Sequence, residues 1–188
     1  IGVPDGGGAL PLGESELILL PAHFMHAEGN FHFYDPVSRI LFTGDLGVSL
    51  TSCAEAAQPV TDLKPHIPRM EAFHRRYMVS RKILQLWVNM VSRLDIEMLV
   101  PQHGAPIVGR AAVQDFLDWI SGLECGVDLF TQANYRLPTD VIDPATRTTG
   151  PRPSPAAKVP VAAEPATGED LEALLQRKRL QAQRAARE

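Results

Sequence analysis

Leu17-Ile18-Leu19-Leu20-Pro21-Ala22-His23-Phe24-Met25-His26-Ala27-Glu28-Gly29-Asn30-Phe31-His32-Phe33-Tyr34 is the stretch from which the rest of the chain is read. Leu17 to Leu20 is a continuous apolar run, the pattern of a buried strand. It runs into a loop with two histidines, His23 and His26, and Gly29 permits a tight backbone there. Phe31 to Tyr34 is a second strand. The turn Asp35-Pro36-Val37-Ser38 joins it to a third, Ile40 to Thr43. That strand ends in Gly44-Asp45-Leu46-Gly47, an aspartate between glycines. Further on, Met98 to Val100 is a short strand that stops at Pro101 and is followed by Gln102-His103-Gly104. His26, Asp45 and His103 therefore each stand where a strand stops.

Helical periodicity fills the space between. Met70, Phe73, Tyr77 and Met78 predict a short helix. Ser80 is a cap for a second one, whose Ile83, Leu84, Trp87, Val88, Val91 and Leu94 share a face. Val113, Phe116, Leu117, Ile120 and Leu123 predict a third after Gly109. Trp87 and Trp119 read as parts of helix faces that pack on the core. Asp5-Gly6-Gly7-Gly8 is a hairpin-turn signal. Apolar strands interleaved with amphipathic helices imply an α/β protein whose sheet is covered on one face by helices.

Composition narrows the classes. The 188 residues are 45% hydrophobic, enough for one domain with a core. A net charge of −4 argues against a nucleic-acid binder. No apolar run approaches the roughly 18 residues of a membrane helix. Two cysteines, Cys53 and Cys125, are too few for a disulfide framework, and with no export signal in view a reducing cytoplasm is expected. The composition changes near Pro138. We expect a partial globular domain over residues 1–137, a Pro/Ala-rich linker over 138–168, and a C-terminal helix over 169–188 capped by Thr167 and Asp170.

Imidazole nitrogen and carboxylate oxygen are ligands that zinc and iron accept. A carboxylate has two oxygens and can bridge two cations. Loops at one edge of a rigid sheet are where such groups gather. Any one of the three positions alone carries little, because a lone strand-end histidine is more often a satisfied polar residue and Gly-Asp-x-Gly more often a turn. Their order and context carry the reading.

His26-Ala27-Glu28-Gly29-Asn30 resembles the H-x-x-G-[ST] metal motif of the metallo-β-lactamase superfamily. Thr43-Gly44-Asp45 resembles its Gly-Asp, and Gln102-His103-Gly104 its last His-Gly. The 19-residue spacing from His26 to Asp45 and the strand–turn–strand between them fit as well. Residues 21–34, Phe73-His74-Arg75-Arg76-Tyr77-Met78 and Pro101-Gln102-His103-Gly104-Ala105-Pro106 are similar to flavodiiron proteins, and more so to stand-alone oxygen-binding di-iron proteins.

The resemblance implies the second half of an αββα sandwich, with His26, Asp45 and His103 as part of a two-metal site, iron favoured over zinc. It implies dioxygen or a small molecule as the bound species, an electron-donor protein, and a head-to-tail homodimer. The superfamily's first motif, H-x-[HE]-x-D-H, is absent from the sequence. With no initiator Met before Ile1, a fragment of a longer domain is expected. No flavodoxin-like segment follows, so FMN is not expected. Three functions stay open: a di-iron protein that binds or reduces oxygen, a zinc-dependent hydrolase, and a non-catalytic binding lobe that uses its basic tail helix.

Other residues read more quietly. His23 is expected as a strand-end residue or an outer partner of the site, and His32 as a surface or cross-strand residue. His74-Arg75-Arg76 is expected as a solvated basic cluster, and Glu28 as a surface carboxylate. Cys53 is expected as a small buried residue, and His66 in a loop carries no signal.

Overall fold

Six strands make one sheet in sequence order: β1 (Gly8–Leu12), β2 (Ser15–Pro21), β3 (Phe31–Asp35), β4 (Ile40–Gly44), β5 (Met98–Pro101) and β6 (Ile107–Val108). The computed structural model describes residues 2–138, so the expected linker beyond Pro138 and the expected helix over 169–188 lie outside the described residues. β1 to β4 run as an antiparallel meander, β5 lies parallel to β4, and β6 is antiparallel to β5. A parallel pair needs a long crossover. Here it carries α1 (Cys53–Ala56), α2 (Ile67–Tyr77) and α3 (Arg81–Val91), and α4 (Arg110–Gly122) follows β6. Ser80 caps α3 as expected, its Oγ accepting from the Ile83 amide at 3.4 Å.

Strand alternation sorts the two faces of the sheet. Tyr34, Leu41 and Leu99 stand side by side on β3, β4 and β5, and all three are buried. They belong to one core with Leu84, Trp87 and Val91 of α3 and Phe116, Leu117 and Ile120 of α4. One residue along, Phe33, Phe42 and Val100 form the adjacent row and point the other way. Phe33 is 39% and Phe42 40% exposed, and with Phe31 and Val100 they line a groove of about 400 Å³. Fully burying one such phenylalanine is worth about 1.5–3 kcal/mol. A helix layer on one face and a bare apolar row on the other is the arrangement of half a sandwich, in keeping with the implied αββα fold.

Three expectations need correction. The hairpin turn lies at Gly13-Glu14, between β1 and β2, while Asp5-Gly6 forms a separate turn before β1. β1 buries no residue and is interrupted by Pro11, so its short apolar run did not read as a core strand. His32 is fully buried, because its side of β3 faces the helices and Trp87 packs edge-on against its ring at 5.3 Å. Cys53 is exposed on the short surface helix α1, and Cys125 is the buried cysteine. No described helix is long and apolar enough to cross a membrane.

Candidate metal site

The His26 loop is closed by its own backbone. Ala22 N–H donates to the Asn30 carbonyl at 2.9 Å, and Phe24 N–H donates to the Ala27 carbonyl at 2.8 Å. The Asn30 side-chain amide donates to the Met25 carbonyl at 2.5 Å. Met25 is buried and anchors the loop in the core, while its neighbour His26 stays exposed. An apolar residue beside a polar one across a tight loop thus fixes where the imidazole emerges.

Asp45 is held with comparable care. Thr43 is fully buried, and its hydroxyl donates to the Leu46 carbonyl at 2.5 Å, which closes a turn around Asp45. Leu46 N–H donates to the Thr43 carbonyl at 2.9 Å across the same turn. Gly47 sits at φ +99, a conformation L side chains rarely adopt, so the glycine there is a backbone requirement. The result brings the His26 Nε2 within 3.2 Å of the Asp45 Oδ2. The Asp45 side chain is 28% exposed, so its carboxylate still reaches solvent.

His103 follows β5. Because β4 and β5 are parallel, their C-terminal ends lie together, with Gly44 beside Pro101. Gln102 N–H donates to the Gly44 carbonyl at 2.6 Å. Ser49 N–H donates to the His103 carbonyl at 3.4 Å, and Ala105 N–H donates to the Ser49 hydroxyl at 3.3 Å. Three hydrogen bonds therefore stitch the His103 loop to the residues on either side of Asp45, one to Gly44 and two to Ser49. The His103 side is open: a groove of about 630 Å³ is lined by Ser49, Thr51, Cys53, Glu55, Gln102 and His103.

Of the sequence-derived trio, His26 and Asp45 meet, while His103 makes no ion pair among the described residues. No three His, Cys, Asp or Glu side chains among the described residues converge tightly enough to hold a metal. The donor chemistry fits a share of a two-metal set: one imidazole on the carboxylate, and a second at the adjoining strand end. Phe73 and Tyr77 of α2 wall the His26 side, with ring centroids 6.3 and 5.6 Å from the imidazole.

The secondary residues separate. His23 Nε2 contacts the Asp5 carbonyl at 2.8 Å and its ring meets Phe31 edge-on, so it braces the loop. Glu28 is exposed. The basic cluster does not exist as such: His74 is fully buried, Arg75 pairs with Glu71 at 3.0 Å, and Arg76 is exposed. Burial holds the His74 ring down at about 4 and the His32 ring at about 3. Two contributors escaped the sequence reading. Ser49 offered no motif. His74 carried a signal, since it lies four residues from both Met70 and Met78 on the buried stripe of α2.

A family model described as ODP family beta lactamase matches residues 1–104. No curated protein matches this chain. Among solved structures, a peroxy di-iron species of the chemotaxis sensor ODP is 42% identical, with a TM-score of 0.65 over 72% of this chain and 56% of that one. The apo state of the chemotaxis sensor ODP from T. denticola is also 42% identical, with a TM-score of 0.66 over 72% and 55%. The rubredoxin oxygen:oxidoreductase from Desulfovibrio gigas shares the fold at 11% identity, with a TM-score of 0.57 over 64% and 31%. This chain spans just over half the length of the two ODP structures. The family match takes in all three strand ends that carry His26, Asp45 and His103, and the chain belongs to the ODP family beta lactamases, proteins of the metallo-β-lactamase fold.

Proposed function

We propose that this chain is part of a di-iron protein that binds dioxygen, and that it contributes His26, Asp45 and His103 as ligands. The observation that carries the reading is the 3.2 Å contact between His26 Nε2 and Asp45 Oδ2, at a strand edge fastened to the His103 loop. The 42% identity to a chemotaxis sensor described with a peroxy di-iron species supports iron over zinc. Bound irons would supply reducing equivalents and open coordination positions for dioxygen. The chain's own part is positional. Asp45 would offer its carboxylate oxygens, and His26 beside it an imidazole nitrogen, to the bound metals. His103 is poised from the adjoining parallel strand. Phe73 and Tyr77 pack beside the His26 ring and restrict its swing. Remaining ligands would come from the superfamily's first motif, outside this sequence. Repeated oxygen reduction would also need an electron-donor protein.

The test is anaerobic reconstitution of the full-length protein with ferrous iron, followed by admission of oxygen. Two irons per chain and a visible absorption band that appears with oxygen are expected. Failure to take up iron, with stoichiometric zinc uptake in a parallel reconstitution and no oxygen-dependent absorption, would overturn the reading in favour of a hydrolase of the same fold.

A further inference from the structure

His74 sits at the back of the site, fully buried, and touches none of the three ligand side chains. Its Nδ1 lies 2.7 Å from the Met70 carbonyl, one turn earlier on α2. Its Nε2 lies 2.8 Å from the Gly47 amide nitrogen. A carbonyl can only accept and a peptide N–H can only donate. Both contacts are hydrogen bonds in a single protonation state: a neutral ring with its proton on Nδ1. Burial favours that neutral form, holding the ring down at about 4. Trp119 packs edge-on against the ring at 5.4 Å and fixes its plane. The ring is thus a rigid strut between the α2 backbone and the peptide two residues beyond Asp45.

We propose that His74 is a positioning residue for the Asp45 carboxylate: its Nε2 lone pair pins the Gly47 amide and so fixes the turn that aims Asp45 at His26. The inference rests on the reading of Asp45 as a metal ligand. Thr43 closes the near side of the turn from β4, and His74 closes the far side from α2. No other side chain among the described residues accepts from the Gly47 amide. Loss of the lone pair leaves that buried N–H unpaired and frees the turn to move.

The test uses two variants of the full-length protein. His74→Leu removes the acceptor but keeps apolar bulk. His74→Gln returns an oxygen acceptor near the Nε2 position. Ferrous-iron affinity is read by competition with a chromophoric chelator. Outer partners of metal ligands typically change affinity roughly 10- to 100-fold. A loss of that size is expected for His74→Leu, with most of it recovered in His74→Gln. Wild-type affinity in His74→Leu would overturn the positioning role. If His74→Leu does not fold, nitrogen-15 NMR of the wild-type ring at neutral pH decides: a neutral Nδ1–H tautomer supports the strut, and an Nε2–H or charged ring overturns it. A wild-type protein that takes up no metal would sink the site reading itself, whereas wild-type uptake matched by His74→Leu would sink the strut alone.

Discussion

Ser49 occupies the space that a side chain on Gly104 would need: a Cβ built there would lie 2.8 Å from the Ser49 nitrogen. Gly104 also sits at φ +96. This close approach joins the loop that carries His103 to the segment that follows Asp45. It explains in physical terms why a glycine follows the histidine.

Gly104→Ala should therefore part the two loops. A non-glycine residue at such a φ costs about 1–3 kcal/mol, before the collision with Ser49 is counted. A drop of at least that size in denaturant unfolding is expected, together with weakened metal retention. Unchanged stability would show that the contact is slack.

Acid should unfold the protein through its buried imidazoles. His32 and His74 hold their neutral forms down to about 3 and about 4, whereas in the unfolded chain they titrate near 6.5. Below 6.5 the unfolded chain binds those protons first. The stability they confer is complete above that value and is lost as the pH falls through the window toward 3. Each ring contributes a slope of up to about 1.4 kcal/mol per pH unit there. His32→Leu should make the acid limb shallower by about one proton. It should cost little at neutral pH, because neither ring nitrogen has a hydrogen-bond partner to lose. An identical acid limb would contradict the assignment.

The core should outweigh surface charge by a wide margin. Phe116 is fully buried between α4 and the sheet, and Phe116→Ala should cost about 3–5 kcal/mol. Arg110 grips Asp95 with two hydrogen bonds of 3.0 and 2.9 Å, yet both side chains are more than half exposed. Arg110→Ala should cost under about 1 kcal/mol. Comparable losses in the two variants would show that the sheet is held by its rim instead.

Much of this was legible in the sequence, and the limits have physical causes. The strands at Leu17, Phe31, Ile40 and Met98 stood out because each has an apolar run bounded by turn residues. The α3 and α4 stripes stood out because their faces repeat at helical spacing. β1 did not, since every residue in it is exposed and Pro11 interrupts it. Of the two readings of His32, the cross-strand one holds and the surface one fails, because strand alternation says which residues share a face but not which face the helices cover. His74 was read with Arg75 and Arg76 as a charged cluster, although its spacing from Met70 already put it on the buried stripe. The three strand ends were legible as metal-binding candidates because motif and strand end coincide. The ties between them were not, because Ser49 lies in a segment with no motif and the run around His74 was read for its likeness and its charges and not for its buried stripe.

Asn30 closes the His26 loop where the superfamily motif has Ser or Thr, and its amide donates to the Met25 carbonyl. Asn30→Ala should cost about 1 kcal/mol and loosen metal binding without abolishing it. Asn30→Ser should recover part of the loss. A fully wild-type metal affinity in Asn30→Ala would mean the loop is held by its backbone alone.

Metal content of four single variants of the full-length protein, measured by elemental analysis, bears most directly on the whole account. His26→Ala, Asp45→Ala and His103→Ala should each lose bound iron, while His66→Ala, at the start of α2, should keep the wild-type amount. Stoichiometric iron retained in Asp45→Ala and His26→Ala would contradict the account, because the carboxylate and imidazole that meet at 3.2 Å would then hold nothing.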